Sequence, residues 1–146
     1  MPQSLSKILV HIVFSTKDRE PFIDPSFERG LHAYLATVAR SCDSPALQIG
    51  GMRDHVHLLV GLGRRTCIAD LVKKLKQSSS VWLKSHGRFY WQRGYGAFSI
   101  GESNAAACRR YIREQRSHHA KMTFQEELRE LLRRYRVDFD ERFVWD

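Results

Sequence analysis

The fold is decided by the segment DHVHLLVGL at residues 54–62. In an extended strand, His55 and His57 point to one face, whereas the apolar residues at 56, 58 and 60 point to the other. This alternation predicts a strand from His55 to Leu62. Its apolar side faces a helix-covered core, and its two histidines lie on the open face of the sheet.

The flanking segments predict the remaining strands of this sheet. A turn at Arg53–Asp54 joins the strand to a preceding one from Ala46 to Met52. Residues Ser6 to Ser15 alternate in the same way and favour a first strand. A fourth strand is expected from Tyr90 to Ile100, with Gly94 and Gly96 marking a bend or a close backbone approach.

Helical periodicity fills the rest of the chain. Apolar residues recur at helical spacing from Pro25 to about Arg40 and again after Thr66, which can cap the second helix. A third helix is expected from Gly101 to about His119. The capping-box sequence TFQE at 123–126 begins a last helix, and the aromatic tail from Phe139 to Trp145 is expected to dock on the body or on a partner.

The order β-α-β-β-α-β-α-α predicts an α+β fold of the ferredoxin-like, split-βαβ kind. It has an antiparallel sheet with helices on one face, a C-terminal helix that carries Tyr111, and a further helix. No linker divides residues 1–146, which are therefore interpreted as one domain. This fold supports many functions and selects none of them.

Charge and cysteine content narrow the class of protein. The 24 Lys and Arg residues against 16 Asp and Glu give a net charge of +8, which favours an anionic partner such as nucleic acid. The three cysteines have no C-x-x-C spacing and are expected to be buried or half-buried thiols in a reducing cytoplasm. The apolar stretch from Ile8 to Phe14 is too short for a membrane span and a poor signal peptide.

The H-x-H pair on the central strand is the strongest chemical signal. Two imidazoles one pleat repeat apart can hold one metal ion, although two half-exposed histidines without a ligand are the alternative. A catalytic metal usually takes three protein groups. Asp54 is expected in the turn or as a group that orients one of the histidines.

A second signal lies on the predicted third helix. Tyr111 and Gln115 are four residues apart and share a face. Gln115 offers an amide oxygen to a hard cation, and Tyr111 offers a phenol that can act as a covalent nucleophile. The alternative is an amphipathic helix with a packed tyrosine and a solvated arginine face.

The combination of these motifs resembles the single-tyrosine transposases of the insertion-sequence 200/605 family, which belong to the HUH nucleases. The resemblance rests on DHVHLL at 54–59, YIREQ at 111–115, HIVFSTK at 11–17 and WQRGYG at 91–96. It extends over nearly the whole chain.

The resemblance implies roles for four residues. His55, His57 and Gln115 would be ligands of Mg²⁺ or Mn²⁺, and Tyr111 the nucleophile. The family acts on single-stranded DNA and recognises hairpins near element ends. Its members work as homodimers in which the tyrosine helix of one subunit can complete the histidine pair of the other. Cleavage would form a 5′-phosphotyrosine, which a DNA 3′-hydroxyl can displace without ATP.

Further residues are candidates for contact with DNA. They are cations that suit phosphates and aromatics that can stack on unpaired bases. The set comprises Lys73, Lys74, Lys76, Arg109, Arg110, Arg113, Arg116, Trp91 and Tyr95. His11 is expected to touch DNA, to sit behind the metal, or to be only a polar strand position. His118 and His119 are not expected to be ligands.

Two other functions remain open. A basic ferredoxin-like module could bind structured single strands without cutting them. A zinc-dependent hydrolase could use His55 and His57, but it would need another His, Asp or Glu to complete the site, and none is obvious beyond Asp54.

Overall fold

The computed structural model describes residues 3–145, so positions 1, 2 and 146 of the predicted domain lie outside the described residues. Short 3-10 turns at 17–19 and 102–104 accompany four strands and five α-helices. The strands are β1 Leu9–Ser15, β2 Ala46–Met52, β3 His55–Gly61 and β4 Gly96–Ile100; the helices are α1 Pro25–Ser41, α2 Ile68–Lys84, α3 Ala105–Arg113, α4 Gln115–His119 and α5 Phe124–Arg134.

The four strands form one antiparallel sheet in the order β2-β3-β1-β4. In β1 and β3, Ser15 pairs with His55 and Val13 pairs with His57. The two central strands are therefore β3 and β1, and the histidines lie at the middle of the sheet. This order confirms the predicted ferredoxin-like α+β fold.

One face of the sheet carries the main core. Val10, Ile12 and Phe14 of β1 and their counterparts in β3 are buried under α1 and α2. The alternate apolar residues of the strands and the apolar stripes of the helices face each other and form one core layer. The helix stripes that close this core are Leu31, Leu35 and Val38 in α1 and Leu71, Val72, Leu75 and Leu83 in α2.

The opposite face is not open, which corrects the expectation for the two histidines. Leu9 and Leu59 pack against Ile112 of α3, while α5 packs its apolar stripe on Val13 and Phe98. The side chains of His55 and His57 are fully buried as a result. The amphipathic C-terminal helices must bury their own stripes, and this face of the sheet is the apolar surface that they cover.

A glycine permits α3 to lie close to the edge strand. A Cβ atom at Gly50 of β2 would stand only 2.2 Å from the carbonyl oxygen of Ile112. Any larger residue there would push α3 outward, because the atom it meets belongs to backbone.

Several predicted boundaries were wrong. The first strand begins at Leu9, and the fourth strand covers only Gly96–Ile100, with Trp91 making an isolated bridge to Thr16. Gly94 has φ +82°, so the backbone turns there, and regular pairing with β1 begins only at Gly96. The second helix is capped by the Cys67 sulfur, which accepts from the Asp70 N–H, rather than by Thr66, whose hydroxyl donates to the Cys42 carbonyl.

The predicted helix from 101 to 119 is interrupted. Glu114 has φ −95° and ψ 28°, which separates α3 from α4. The capping box at Thr123 and Glu126 is present and begins α5 as predicted. Before α3, the predicted first turn is a 3-10 turn at 102–104.

The tail from Phe139 to Trp145 packs on the body of the protein, which is one of the two positions expected for it. Phe139 and Val144 pack on the cluster formed by α5 and β4, and Gln92 donates to the Val144 carbonyl.

All three cysteines are free; Cys67 is exposed, which corrects the expectation that all would be at least half-buried. Within residues 3–145, no helix combines the length and the apolar character that crossing a bilayer requires.

Candidate metal and nucleophile site

The two β3 histidines point their Nε2 atoms into one buried cluster beneath α4 and α5. His55 Nε2 lies 3.0 Å from Gln115 Oε1, and His57 Nε2 lies 3.0 Å from Glu127 Oε1. The Nδ1 atom of His55 is 2.7 Å from Asp54 Oδ1. The carboxylate accepts from Nδ1 and so fixes the ring orientation, as expected for Asp54.

The break at Glu114 brings Gln115 into this cluster. Gln115 is almost fully buried at the start of α4, and its amide nitrogen donates to Glu127 Oε2 at 3.1 Å. Its oxygen is therefore left to face the imidazoles of His55 and His119, each at 3.0 Å. The structure thus brings Gln115 to the histidine pair of the same chain.

Sequence reasoning missed two residues of the cluster, His119 and Glu127. His119 Nε2 lies 3.1 Å from Glu127 Oε1, and its Nδ1 donates to the Met122 carbonyl at 2.9 Å. His119 was not expected to be a ligand because Gln115 already gave a third group, but its Nε2 atom lies inside the cluster. His119 follows Gln115 by four residues, so the two share a face of α4.

A signal for Glu127 was present in the sequence. The stripe of α5 runs through Phe124, Leu128 and Leu131, and Glu127 stands on the same face at 1% exposure. A carboxylate in an apolar stripe is costly unless it is paired, so its position indicates a buried partner.

Tyr111 reaches the cluster from α3. Its hydroxyl donates a short hydrogen bond to Glu127 Oε2, while the other oxygen of that carboxylate faces the imidazoles. Tyr111 also lies edge-on to the ring of His57. The phenol and the histidine pair are therefore joined through a single carboxylate.

The electrostatics of the cluster follow from burial and close pairing. Burial alone would raise the pKa of Glu127, but hydrogen bonds from His119, His55 and His57 outweigh it and hold the pKa far below its usual range. Burial would lower the pKa of His55, yet the bonds to Asp54 and Glu127 raise it to about 9. Burial and the adjacent carboxylate raise the pKa of Tyr111 well above its ordinary value.

His11 stands behind His57, which is one of the three positions expected for it. Its Nε2 lies 2.7 Å from His57 Nδ1, and the two rings stack with centroids 5.0 Å apart. Burial, followed by the influence of His57, lowers the pKa of His11 to about 3. His11 is therefore a neutral neighbour that holds the His57 ring.

Comparisons with known proteins identify the family to which this chain belongs. Residues 4–115 match the family model described as "Transposase IS200 like". The chain belongs to the IS200-like transposase family. The transposases of insertion sequence element IS200 from Salmonella typhimurium strain LT2 and Salmonella typhi are each 26% identical to it over 114 residues, which cover 72% of this chain and 74% of each relative.

Two solved structures resemble this transposase in fold. A protein assigned as a transposase from Deinococcus radiodurans R1 has a TM-score of 0.63 at 26% identity, over 77% of this chain and 93% of that one. A REP-associated tyrosine transposase, solved bound to a REP hairpin, has a TM-score of 0.63 over 82% of this chain and 73% of that one. At 12% identity, the second likeness shows the fold alone.

The donor set in this transposase fits a divalent cation. Ligand atoms of His55, His57, His119 and Glu127 all lie within 4.8 Å of one another, and Gln115 adds an amide oxygen. Imidazole nitrogens and carboxylate or amide oxygens are donors that first-row divalent metals accept. The cluster can therefore bind a metal ion.

The predicted DNA-contact residues fall on different sides of the transposase. Lys73 and Lys74 are exposed on α2, whereas the exposed cations of α3 and α4 lie across the sheet; these are Arg109, Arg110, Arg113 and Arg116. Arg116 lies 3.5 Å from Glu28.

Two of the three other predicted contact residues, Lys76 and Trp91, pack or bond within the fold. Lys76 is half-buried and donates to the carbonyls of Gln92 and Gly94 at 2.8 and 2.5 Å. Trp91 packs edge-on against Phe14 and donates to Ser79. Tyr95, by contrast, is 44% exposed. Of these three, Tyr95 keeps the most surface for a base.

Proposed function

We propose that this transposase cuts and rejoins single-stranded DNA through a 5′-phosphotyrosine on Tyr111, with a divalent cation on His55, His57 and Gln115. The observation that supports this most is the meeting of phenol and imidazoles in one cluster. The Tyr111 hydroxyl and His57 Nε2 contact the two oxygens of the same Glu127 carboxylate. A nucleophile beside a metal-binding group is the arrangement that phosphodiester transfer requires.

The residues of the cluster have defined parts in this reaction. A divalent cation bound there would supply positive charge to the oxygens of the scissile phosphate. His55 and His57 hold their Nε2 atoms toward it, because Asp54 and His11 fix the other ring nitrogens. Gln115 presents its amide oxygen, since its nitrogen is engaged by Glu127.

Tyr111 forms the covalent bond. Its oxygen attacks the phosphorus, the bond from phosphorus to the 3′ oxygen breaks, and that oxygen leaves as a 3′-hydroxyl after taking a proton from water. The phenol proton passes to water in the same step, while Glu127 orients the hydroxyl by accepting its hydrogen bond. In rejoining, a DNA 3′-hydroxyl attacks the phosphotyrosine, and Tyr111 recovers its proton.

Two openings border the cluster, one beside His119 and the other beside Tyr111. A groove of about 600 Å³ is lined by His119 and Asp54 together with Arg19, Arg53 and Lys121. A second cavity of about 390 Å³ contains Tyr111 and Arg134. Cations in both openings suit a strand whose phosphates must pass the nucleophile.

Hairpins at the ends of an insertion sequence are the proposed recognition elements. The solved relative bound to a REP hairpin and the two IS200 transposases support this substrate class for our chain. A homodimer with shared sites belongs to the same proposal, although Tyr111 and Gln115 reach the histidines of their own chain here. A cytoplasmic location also stays a prediction.

A metal-dependent hydrolase is the second candidate. It was expected to need a further His, Asp or Glu, and His119 and Glu127 both stand beside the histidine pair. Water rather than Tyr111 would then attack the phosphate.

Labelled oligonucleotides separate these candidates. Hairpins from the DNA that flanks the gene, labelled at the 5′ or 3′ end, are incubated with Mn²⁺ or Mg²⁺, with and without chelator. We expect a metal-dependent protein adduct that carries the 3′-side fragment and is missing in Tyr111→Phe. Cleavage that persists in Tyr111→Phe would favour the hydrolase, and binding to a hairpin without cleavage would favour a binding module.

A further inference from the structure

The cluster beneath the C-terminal helices contains two donor groups that the proposed three-ligand site does not use. Glu127 Oε1 lies 3.0 Å from His57 Nε2, 3.1 Å from His119 Nε2 and 3.5 Å from His55 Nε2. Three imidazoles thus surround one carboxylate oxygen. They come from two elements, β3 and α4, whereas the carboxylate comes from α5.

Each of the three imidazoles has a partner at its Nδ1 atom, the ring nitrogen that faces away from the Glu127 oxygen. Asp54 and the Met122 carbonyl accept hydrogen bonds from the Nδ1 atoms of His55 and His119, and His11 lies against Nδ1 of His57. A carbonyl can only accept, so His119 carries its proton on Nδ1, and its neutral form presents a lone pair on Nε2. Metal-binding histidines are held in this way by a partner on the second nitrogen.

The burial of Glu127 calls for a charge beside it. The side chain is 1% exposed on the apolar face of α5, where an ion without a partner is strongly disfavoured. A cation held among the same donors would neutralise the charge of that carboxylate and bind the lone pairs of the imidazole nitrogens. The second oxygen of Glu127 remains with Tyr111 and Gln115.

We propose that His119 and Glu127 bind the same divalent cation as His55 and His57, and that this site selects Mn²⁺ over Mg²⁺. The inference rests on the proposed function for the presence of a divalent cation. Selectivity follows from the donor set, because imidazole nitrogens bind the transition metal Mn²⁺ more readily than they bind Mg²⁺, which strongly prefers oxygen. Both added ligands follow residue 115, where the match to the family model ends.

A consequence is that the metal ties α4 and α5 to the sheet. Ions that bind only the folded state raise its stability in proportion to the logarithm of their concentration over Kd. Mn²⁺ should therefore raise the unfolding midpoint of the full chain more than Mg²⁺ does at equal concentration.

Mn²⁺ binding to the full chain tests the inference without DNA. Free and bound Mn²⁺ are followed by electron paramagnetic resonance, with competition by Mg²⁺, for wild type, Glu127→Gln, His119→Gln and the control Glu130→Gln. Glu130 is an exposed carboxylate on the same helix. Circular dichroism and an unfolding curve in chelator establish that each variant is folded.

We expect Glu127→Gln and His119→Gln each to raise the Kd for Mn²⁺ by roughly tenfold or more, and Glu130→Gln to leave it unchanged. His119→Gln should also lower the preference for Mn²⁺ and remove one nitrogen coupling from the spectrum of the bound ion. If Glu127→Gln fails to fold, the result for His119→Gln decides the test. The His119 side chain lies at the edge of the cluster and is 7% exposed.

Wild-type affinity in folded Glu127→Gln and His119→Gln would overturn the inference. No Mn²⁺ binding by wild type would overturn it too. The proposed cleavage is tested separately with Tyr111→Phe, through the loss of the covalent adduct. A failure of the cleavage reaction and a failure of the extended metal site are therefore distinguishable.

Discussion

The Tyr111 hydroxyl donates a hydrogen bond to the carboxylate of Glu127, which lies on the next long helix of the chain. This contact joins α3 to α5 above the histidines of β3. It also places the phenol next to an acceptor, so the tyrosine is held in position before any substrate arrives.

The close approach of α3 to β2 should depend on Gly50. We expect Gly50→Ala to lower the free energy of unfolding by roughly 1–3 kcal/mol, because its Cβ would stand 2.2 Å from the Ile112 carbonyl oxygen. Urea denaturation measures the change. Gly61→Ala is the control, since the nearest atom there is 3.9 Å away, and an equal loss in both variants would contradict the steric explanation.

Stability of the metal-free protein should depend on pH through His55 and His11. The folded pKa of His55, about 9, exceeds the ordinary value of 6.5, so its stabilisation is complete below pH 6.5 and is lost as the pH rises toward 9. The folded pKa of His11 is about 3, so its contribution is lost as the pH falls from 6.5 toward 3. We therefore expect a maximum near pH 6.5.

Urea midpoints in chelator, measured from pH 4 to 8, test this maximum. Asp54→Asn removes the main group that raises the pKa of His55, so the decline above pH 6.5 should become shallower in that variant. Midpoints that increase steadily from pH 6.5 to 8 in wild type would be incompatible with a protonated, paired His55.

The two kinds of lysine on α2 should behave differently. Lys76→Met should destabilise the fold by about 1–2 kcal/mol, because its ammonium joins α2 to the carbonyls of Gln92 and Gly94. Lys73→Met, at an exposed position of the same helix, should change stability by less than about 0.5 kcal/mol. Thermal unfolding of the two variants gives the comparison, and equal effects would refute the bridging role of Lys76.

The exposed arginines of α3 should set the salt dependence of DNA binding. For Arg109→Gln and Arg113→Gln, we expect weaker binding to a single-stranded hairpin oligonucleotide. The slope of log K against log salt should fall by roughly 0.7 for each phosphate contact removed. Fluorescence anisotropy at several salt concentrations measures this slope. If Lys73→Met reduces it and the arginine variants do not, DNA binds to the α2 side instead.

The sheet and its main core could be predicted because each local pattern agrees with the final packing. The alternation around His55 and the stripe through Leu31 and Leu35 both turn toward one layer. The capping box at Thr123 is likewise a local signal, since its two hydrogen bonds join residues three apart.

The composition of the cluster could not be predicted, because it depends on contacts between distant segments. A continuous third helix was the natural interpretation, yet the break at Glu114 redirects α4 and brings His119 next to His55. The position of Glu127 in an otherwise apolar stripe indicates a buried partner, but the sequence does not say which residues form that partner. Tertiary packing, rather than local propensity, decides both positions.

The most direct test of the account is to identify the residue that becomes linked to DNA. Wild type is incubated with a flanking hairpin oligonucleotide and Mn²⁺, and the adduct is digested with nuclease and trypsin for mass spectrometry. Because Arg110 and Arg113 flank the segment, trypsin releases the peptide Tyr111–Arg113. We predict that this peptide carries a 5′-linked nucleotide in a metal-dependent manner. Cleaved DNA with an unmodified peptide, or a nucleotide on another residue, would contradict the central claim.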